Sequence, residues 1–201
     1  MRWFVPFFVV FLWGCDKQLP RHKASKHFDV PGLVAELVRN MNDRQFTVSK
    51  SFTLNGHPET KTIAPADSVF WARELSRLQE IDLNAPQYRD NLAITNKADS
   101  LSNLQVRVFT LREQKNLPLK KLALYYLDDP HEIRQLHLQL ASNNFIAHTR
   151  TSLTLWLNRY SGQLLLDSLK ITGSDAIVLQ PAREYQTISK TVWPGAVKAA
   201  K

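Results

Sequence analysis

Phe46-Thr47-Val48-Ser49-Lys50-Ser51-Phe52-Thr53-Leu54, then Asn55-Gly56, then His57-Pro58-Glu59-Thr60-Lys61-Thr62-Ile63 is the stretch on which the fold turns. Its first part, from Gln45 to Leu54, alternates: Phe46, Val48, Phe52 and Leu54 fall on one side, and Thr47, Ser49, Ser51 and Thr53 on the other. That period of two predicts a half-buried strand. Only Lys50 interrupts the apolar side, and a lysine stem can lie along a core edge. Asn55-Gly56 predicts a tight hairpin, because both residues accept positive φ. The return stretch is polar and holds Pro58, which lacks a ladder donor, so an edge strand is expected.

On either side of this hairpin the period changes. Leu33, Val34, Leu37, Val38 and Met41 make a helical stripe, predicting a helix from Pro31 to Asn42 with the proline in its first turn. Trp71, Leu75, Leu78 and Ile81 make a second stripe, predicting a helix from Asp67 to Ile81 capped by Asp67 and ended by Asn84-Ala85-Pro86. Trp71 is expected in the core. After Tyr88 the chain reads as strands separated by turns. The strands are expected around Leu104-Val108, Leu119-Leu127, Leu136-Leu140, Phe145-Leu157, Gln163-Thr172 and Asp175-Gln180, with Tyr185-Ser189 a further candidate. The turns are expected at Asp128-Asp129-Pro130, Ser142-Asn143-Asn144, Ser161-Gly162 and Gly173-Ser174. The expected fold is therefore α+β: the hairpin plus a five- or six-stranded antiparallel meander, with two helices packed on one sheet face. Two helices span about four strands, at about 10 Å per helix and 4.8 Å per strand. Some apolar sheet is then left to close on itself or to form a groove, and closure is the expectation.

The N-terminus sets the compartment. Met1 to Cys15 holds one charge, Arg2, then an uncharged run from Trp3 to Trp13, then Gly14 and the single cysteine of the chain, Cys15. The run is too short to span a bilayer, which takes about 20 apolar residues. It suits a signal-peptide core with a small residue before the cut. Residues 16–27 then turn almost wholly polar. The division expected is residues 1–14 as signal peptide, 15–28 as a basic tether beginning at Cys15, and 29–201 as one α+β domain. The chain has 201 residues, ample for one buried core. Formal net charge is +8, with Lys17, Arg21, Lys23 and Lys26 of the tether against Asp16. Basic segments beside a bilayer are drawn to anionic headgroups. No basic-aromatic motif points to nucleic acid.

Leu12-Trp13-Gly14-Cys15 resembles the lipobox of bacterial lipoproteins. The resemblance implies a diacylglyceryl group on the Cys15 thiol, cleavage before it, and acylation of the new amino group. A cysteine used in this way leaves none for a disulfide. With its polar tether, its Asn-Gly hairpin, Trp-bearing helix and meander, the whole layout looks like uncharacterised lipoproteins of the Bacteroidota, which have no assigned activity. More distantly it is similar to periplasmic lipoprotein carriers, whose curved sheet holds acyl chains; that likeness is of fold alone. Asp16 resembles an enterobacterial inner-membrane retention signal, but other bacteria do not follow that rule, and the outer membrane is favoured.

Chemistry is sparse. There is no phosphate loop, dinucleotide fingerprint, Gly-x-Ser-x-Gly elbow or Cys-x-x-Cys pair. His131-Glu132-Ile133-Arg134-Gln135 lacks the second histidine of a zinc protease. Asp128 and Asp129 supply too few oxygens for calcium and read as a turn. Trp71, Trp156, Tyr125 and Tyr126 read as core rather than a sugar platform. A two-residue turn at Asn143-Asn144 would set Gln139 opposite His148 and His137 opposite Arg150. Gln135, His137, Gln139, His148 and Arg150 would then share one sheet face, as a polar surface patch or, with its two imidazoles diagonal, a metal or anion site. The solvated face is the expected reading, with no metal and no cofactor. The function expected is that of a non-enzymatic envelope lipoprotein in binding or assembly, with an envelope protein or lipid as partner. The alternative is a lipid or lipoprotein carrier with an apolar groove behind a curved sheet.

Overall fold

The computed structural model describes residues 26–44, 46–113, 116–178 and 180–193. The expected signal peptide, Cys15 and most of the expected tether lie outside these residues.

Among the described residues nine antiparallel strands form one sheet. They are β1 (Thr47–Leu54), β2 (His57–Ile63), β3 (Leu92–Ala98), β4 (Gln105–Leu111), β5 (Leu119–Tyr126), β6 (Ile133–Asn143), β7 (Ala147–Tyr160), β8 (Gln163–Ile177) and β9 (Arg183–Val192). Their order is β2-β1-β9-β8-β7-β6-β5-β4-β3. The meander thus has seven strands, β3 to β9, not five or six. Two strands account for the difference. β3 buries only Leu92, so it carries little hydrophobic signal. β9 joins the meander to the hairpin, pairing with β8 on one side and β1 on the other.

The hairpin follows its residues. Asn55 and Gly56 take φ of 47° and 87°, Leu54 pairs with His57, and β2 with its Pro58 lies at the sheet edge. β8 departs from expectation. Gly173-Ser174 lies inside this strand rather than at a turn, and the two segments expected around it are one. The missing Cβ explains the glycine. A side-chain carbon at position 173 would come within 2.3 Å of the Tyr185 ring, which crosses the strand there. Tyr185 Oη then reaches Thr151 Oγ1 at 3.2 Å.

The first helix, α1 (Val30–Asn42), is capped by Asp29, whose carboxylate accepts from Gly32 N at 2.9 Å. The second expected helix is broken. α2 (Ser68–Glu74) begins at the Asp67 cap, which accepts from Phe70 N at 2.8 Å, and α3 (Ser76–Gln79) follows after Leu75. Ser76 Oγ donates to the Arg73 carbonyl at 2.9 Å. Such back-bonding offers the backbone an alternative to the helical ladder. A short fourth helix, α4 (Pro86–Arg89), leads into β3.

Alternation gives the sheet an apolar and a polar face. Leu136, Leu138, Leu153 and Leu155 are each 0% exposed and share the apolar face. Leu122, Leu124, Phe109, Leu169 and Val48 continue it across the neighbouring strands. One cluster joins these to Val34, Leu37 and Met41 of α1 and to Trp71, Leu75 and Leu78. Each such side chain contributes about 1.5–3 kcal/mol on burial. Polar ties accompany the packing. Asn40 Nδ2 donates to the Leu164 carbonyl at 3.0 Å. Arg77 Nη1 donates to Thr151 Oγ1 at 3.3 Å. Lys50, the one charge on the apolar side of β1, pairs with Glu74 of α2, and Ser189 Oγ donates to the other Glu74 oxygen at 2.8 Å. No helix among the described residues is long and apolar enough to cross a membrane.

Candidate functional site

The polar face carries a cleft of about 690 Å³ toward the end of the sheet where the β6–β7 and β8–β9 connections lie. Register explains it. Gln139, Ser152, Thr172, Gln186 and Thr53 pair in turn across β6, β7, β8, β9 and β1, making one row across the strands. Arg150, Ser174 and Glu184 pair in turn and make a second row across β7, β8 and β9. Small hydroxyl residues, Ser152, Thr172 and Ser174, sit mid-sheet, while the longer Gln139, Arg150, Gln186 and Glu184 stand around them. A sheet face with short side chains flanked by long ones is a depression. At about 4.8 Å per strand, Arg150 and Glu184 stand roughly 10 Å apart across it. Lys120, exposed at the bulge between Leu119 and Lys121, adds a cation to its rim. Beneath the floor, Tyr185 and Arg77 both hold Thr151 from the apolar face.

The cleft therefore offers hydroxyl and amide partners to a polar ligand, with Lys120 and Arg150 able to meet an anionic group and Glu184 a cationic one. Among the described residues its lining contains no histidine or cysteine to pair with a hydroxyl as nucleophile and base.

The five residues expected to share a face do share it, but they do not assemble. Asn143 pairs with His148 and Ala141 with Arg150. The two-residue apex is Phe145-Ile146, closed by Asn144 N donating to the Ala147 carbonyl at 3.0 Å. Asn143 and Asn144 belong to the flank, which shifts the expected pairing by four residues. Gln139 and Arg150 line the cleft. His148 lies beyond it, its Nδ1 3.3 Å from Asn143 Oδ1. Gln135 and His137 lie the other way along β6, their side-chain nitrogens 2.6 Å apart. His137 is six positions from Asn143, the partner of His148, so the two imidazoles stand roughly 20 Å apart along the strands. The diagonal pair is thus corrected. Among the described residues no group of three or more histidine, cysteine or acidic side chains is placed to hold a metal.

His137 belongs to a small patch the alternation does not suggest. Its ring lies 5.0 Å from that of Tyr125, beside Ala123 and Val106, which are 2% and 1% exposed although they face the polar side. Burial first, and the Lys121 ammonium second, hold the imidazole below its ordinary pKa, favouring the neutral ring. Trp71 is 1% exposed in the core. Trp156 is on the polar face, separated from Tyr125 by Gln135, so no aromatic platform forms. His131-Glu132 sits at the β5–β6 turn, where Asp129 accepts from His131 N at 2.8 Å. Sequence patterns do not single out Lys120, Ser152, Thr172, Ser174, Glu184 and Gln186. The alternating Ser and Thr of β7 and β8 are the one local signal, but their union with β9 and β1 is set by long-range pairing.

Compared with known protein families, curated proteins and solved structures, the chain has no significant match.

Proposed function

We propose that this protein is a non-enzymatic bacterial envelope lipoprotein, held to a membrane by lipid on Cys15, whose domain binds a partner in envelope assembly. The anchor rests on Leu12-Trp13-Gly14-Cys15 and the polar tether behind it. The domain stands in the periplasm or at the cell surface, with the outer membrane favoured over the inner. The helices cover one face of the sheet: the ties of Asn40, Glu74 and Arg77 to the strands support this arrangement. The observation that carries the binding role is the contrast between faces. Leu136, Leu138, Leu153 and Leu155 are fully buried on one face, while the other opens into a hydroxyl-floored cleft. A polar partner group bound there is the reading that uses both.

The test has two arms. The N-terminal peptide of the mature protein should carry an acylated Cys15, and Cys15→Ala should weaken the hold of the protein on membranes. Photocrosslinkers at Gln139 and Thr172 should capture an envelope component, and Arg150→Glu should lose it. An unacylated Cys15 in the mature protein rejects the anchor; crosslinking indifferent to Arg150→Glu rejects the cleft.

A second reading, the lipid or lipoprotein carrier, has one observation in its favour. Phe52 and Leu54, on the apolar side of β1, are 38% and 40% exposed, so the apolar face is left open at the hairpin end. A lipid recovered with the protein separates the two readings.

A further inference from the structure

The β6–β7 turn and the β8–β9 connection end side by side, Val178 N donating to the Ile146 carbonyl at 2.9 Å. Together they present Phe145 at 90% exposure, Ile146 at 55%, Val178 at 56% and Ile177 at 37%. β7 and β8, of 14 and 15 residues, are the longest strands and carry this apolar cap.

Three observations say what it touches. Hairpin apices favour Asn, Gly and Asp, yet here the asparagines flank the turn and Phe145-Ile146 occupies its apex. The flanking Asn144 closes the turn through its side chain, and the apex is left to two exposed apolar residues. Next, much of the described backbone around the apex is already paired. Asn144 Oδ1 accepts from Ile146 N at 2.9 Å and Ala147 N at 2.7 Å. Asn144 N, Val178 N and Gln180 N donate to the carbonyls of Ala147, Ile146 and Ile177. Entering a medium poor in water therefore leaves these groups satisfied. Finally, charge lies behind the cap. Arg150, Arg183 and Lys120 are exposed there, against exposed Glu184 and half-buried Asp175. That balance suits anionic headgroups.

The described chain begins between the two ends of the sheet. Lys26 pairs with Asp90 at 3.2 Å, while His27, Phe28 and Asp29 line a pocket with His131, Ile133 and Arg159 of the end opposite the cap. Residues 16–25 span at most about 35 Å when extended. An anchor on Cys15 thus leaves the cap free to reach the bilayer.

The geometry points to a second membrane contact: Phe145, Ile146, Ile177 and Val178 dip into the interface of an anionic bilayer, with Arg150 and Arg183 behind them near the headgroups. The proposal rests on the lipid-anchor reading for its orientation, not for its chemistry.

The test replaces Phe145, and separately Asn103 in the β3–β4 connection at the opposite end, with photoreactive benzoylphenylalanine in the full chain. The protein is irradiated in cells and on vesicles of phosphatidylglycerol and phosphatidylcholine. The expected result is a phospholipid adduct at 145 and not at 103, increasing with phosphatidylglycerol and decreasing with salt. Phe145→Asp with Val178→Asp, both at exposed positions, should keep the fold by circular dichroism and reduce vesicle binding of the Cys15→Ala chain by about tenfold or more. An adduct at 145 with another protein or a second copy, or no adduct from protein that floats with vesicles, overturns the proposal. Failure of the anchor is read separately, as an unacylated Cys15 peptide, and does not alter what the adduct at position 145 decides.

Discussion

Removing either member of the Lys50–Glu74 pair should destabilise the protein, but not equally. The Glu74 side chain is 7% exposed and that of Lys50 30%. Lys50→Met leaves a nearly buried carboxylate with Ser189 alone for company. An uncompensated buried charge costs about 3–5 kcal/mol. Glu74→Leu leaves an ammonium that already reaches water, together with a Ser189 hydroxyl without its acceptor. That loss should be smaller, about 1–3 kcal/mol. The double substitution removes both charges and returns apolar volume to the interface of α2 with β1 and β9. Buried pairs replaced by well-packed apolar residues are often neutral, so the double variant should lie within about 1 kcal/mol of the parent. Urea unfolding with the midpoint and slope fitted separately measures all three. Additive losses, or a Glu74→Leu loss larger than that of Lys50→Met, would contradict this ranking.

Trp71→Ala should lose about 3–5 kcal/mol, whereas Trp71→Phe should lose much less, because the indole Nε1 is buried without a hydrogen-bond partner; calorimetry reads both, and equal melting points would contradict the prediction. Gly173→Ala should destabilise by about 1–3 kcal/mol through overpacking against the Tyr185 ring, and a Tyr185→Ser background should remove most of that loss in the same denaturation assay. The neutral His137 favoured by the fold implies a pH effect of defined sign. Below about pH 6.5 the unfolded chain gains a proton that the folded one resists, so this contribution is complete above that pH and is lost as pH falls toward the depressed folded value. A His137→Gln variant should show a flatter stability profile from pH 7 to 5, and an unchanged slope would count against it.

Local rules recover the hairpin, the Asp67 cap, the edge position of β2 and the burial of Trp71, because each depends on neighbours in sequence. What escapes them depends on distant partners. β9 is inserted beside β1 across more than a hundred residues, and nothing local in Arg183–Val192 announces two partners. Gly173 reads as a turn because glycine usually breaks strands, whereas in the fold it makes room for a ring from the next strand. The favoured turn chemistry of Asn143-Asn144 points to one β6–β7 register, while the apex is Phe145-Ile146. Alternation alone is enough to keep Gln135, His137, Gln139, His148 and Arg150 on one face, since a four-residue slip preserves parity. It is not enough to say which of them meet, and the cleft is built mostly from residues that only the long-range pairing brings together.

If the domain binds on its polar face, it carries no lipid within. Native mass spectrometry with organic extraction, on the Cys15→Ala protein purified from cells, decides the matter most directly. The expected outcome is the bare mass of the chain and no stoichiometric lipid. A lipid bound one to one, displaced when Leu153 or Ile171 on the apolar face is enlarged to phenylalanine, would overturn the polar-face reading and establish the carrier.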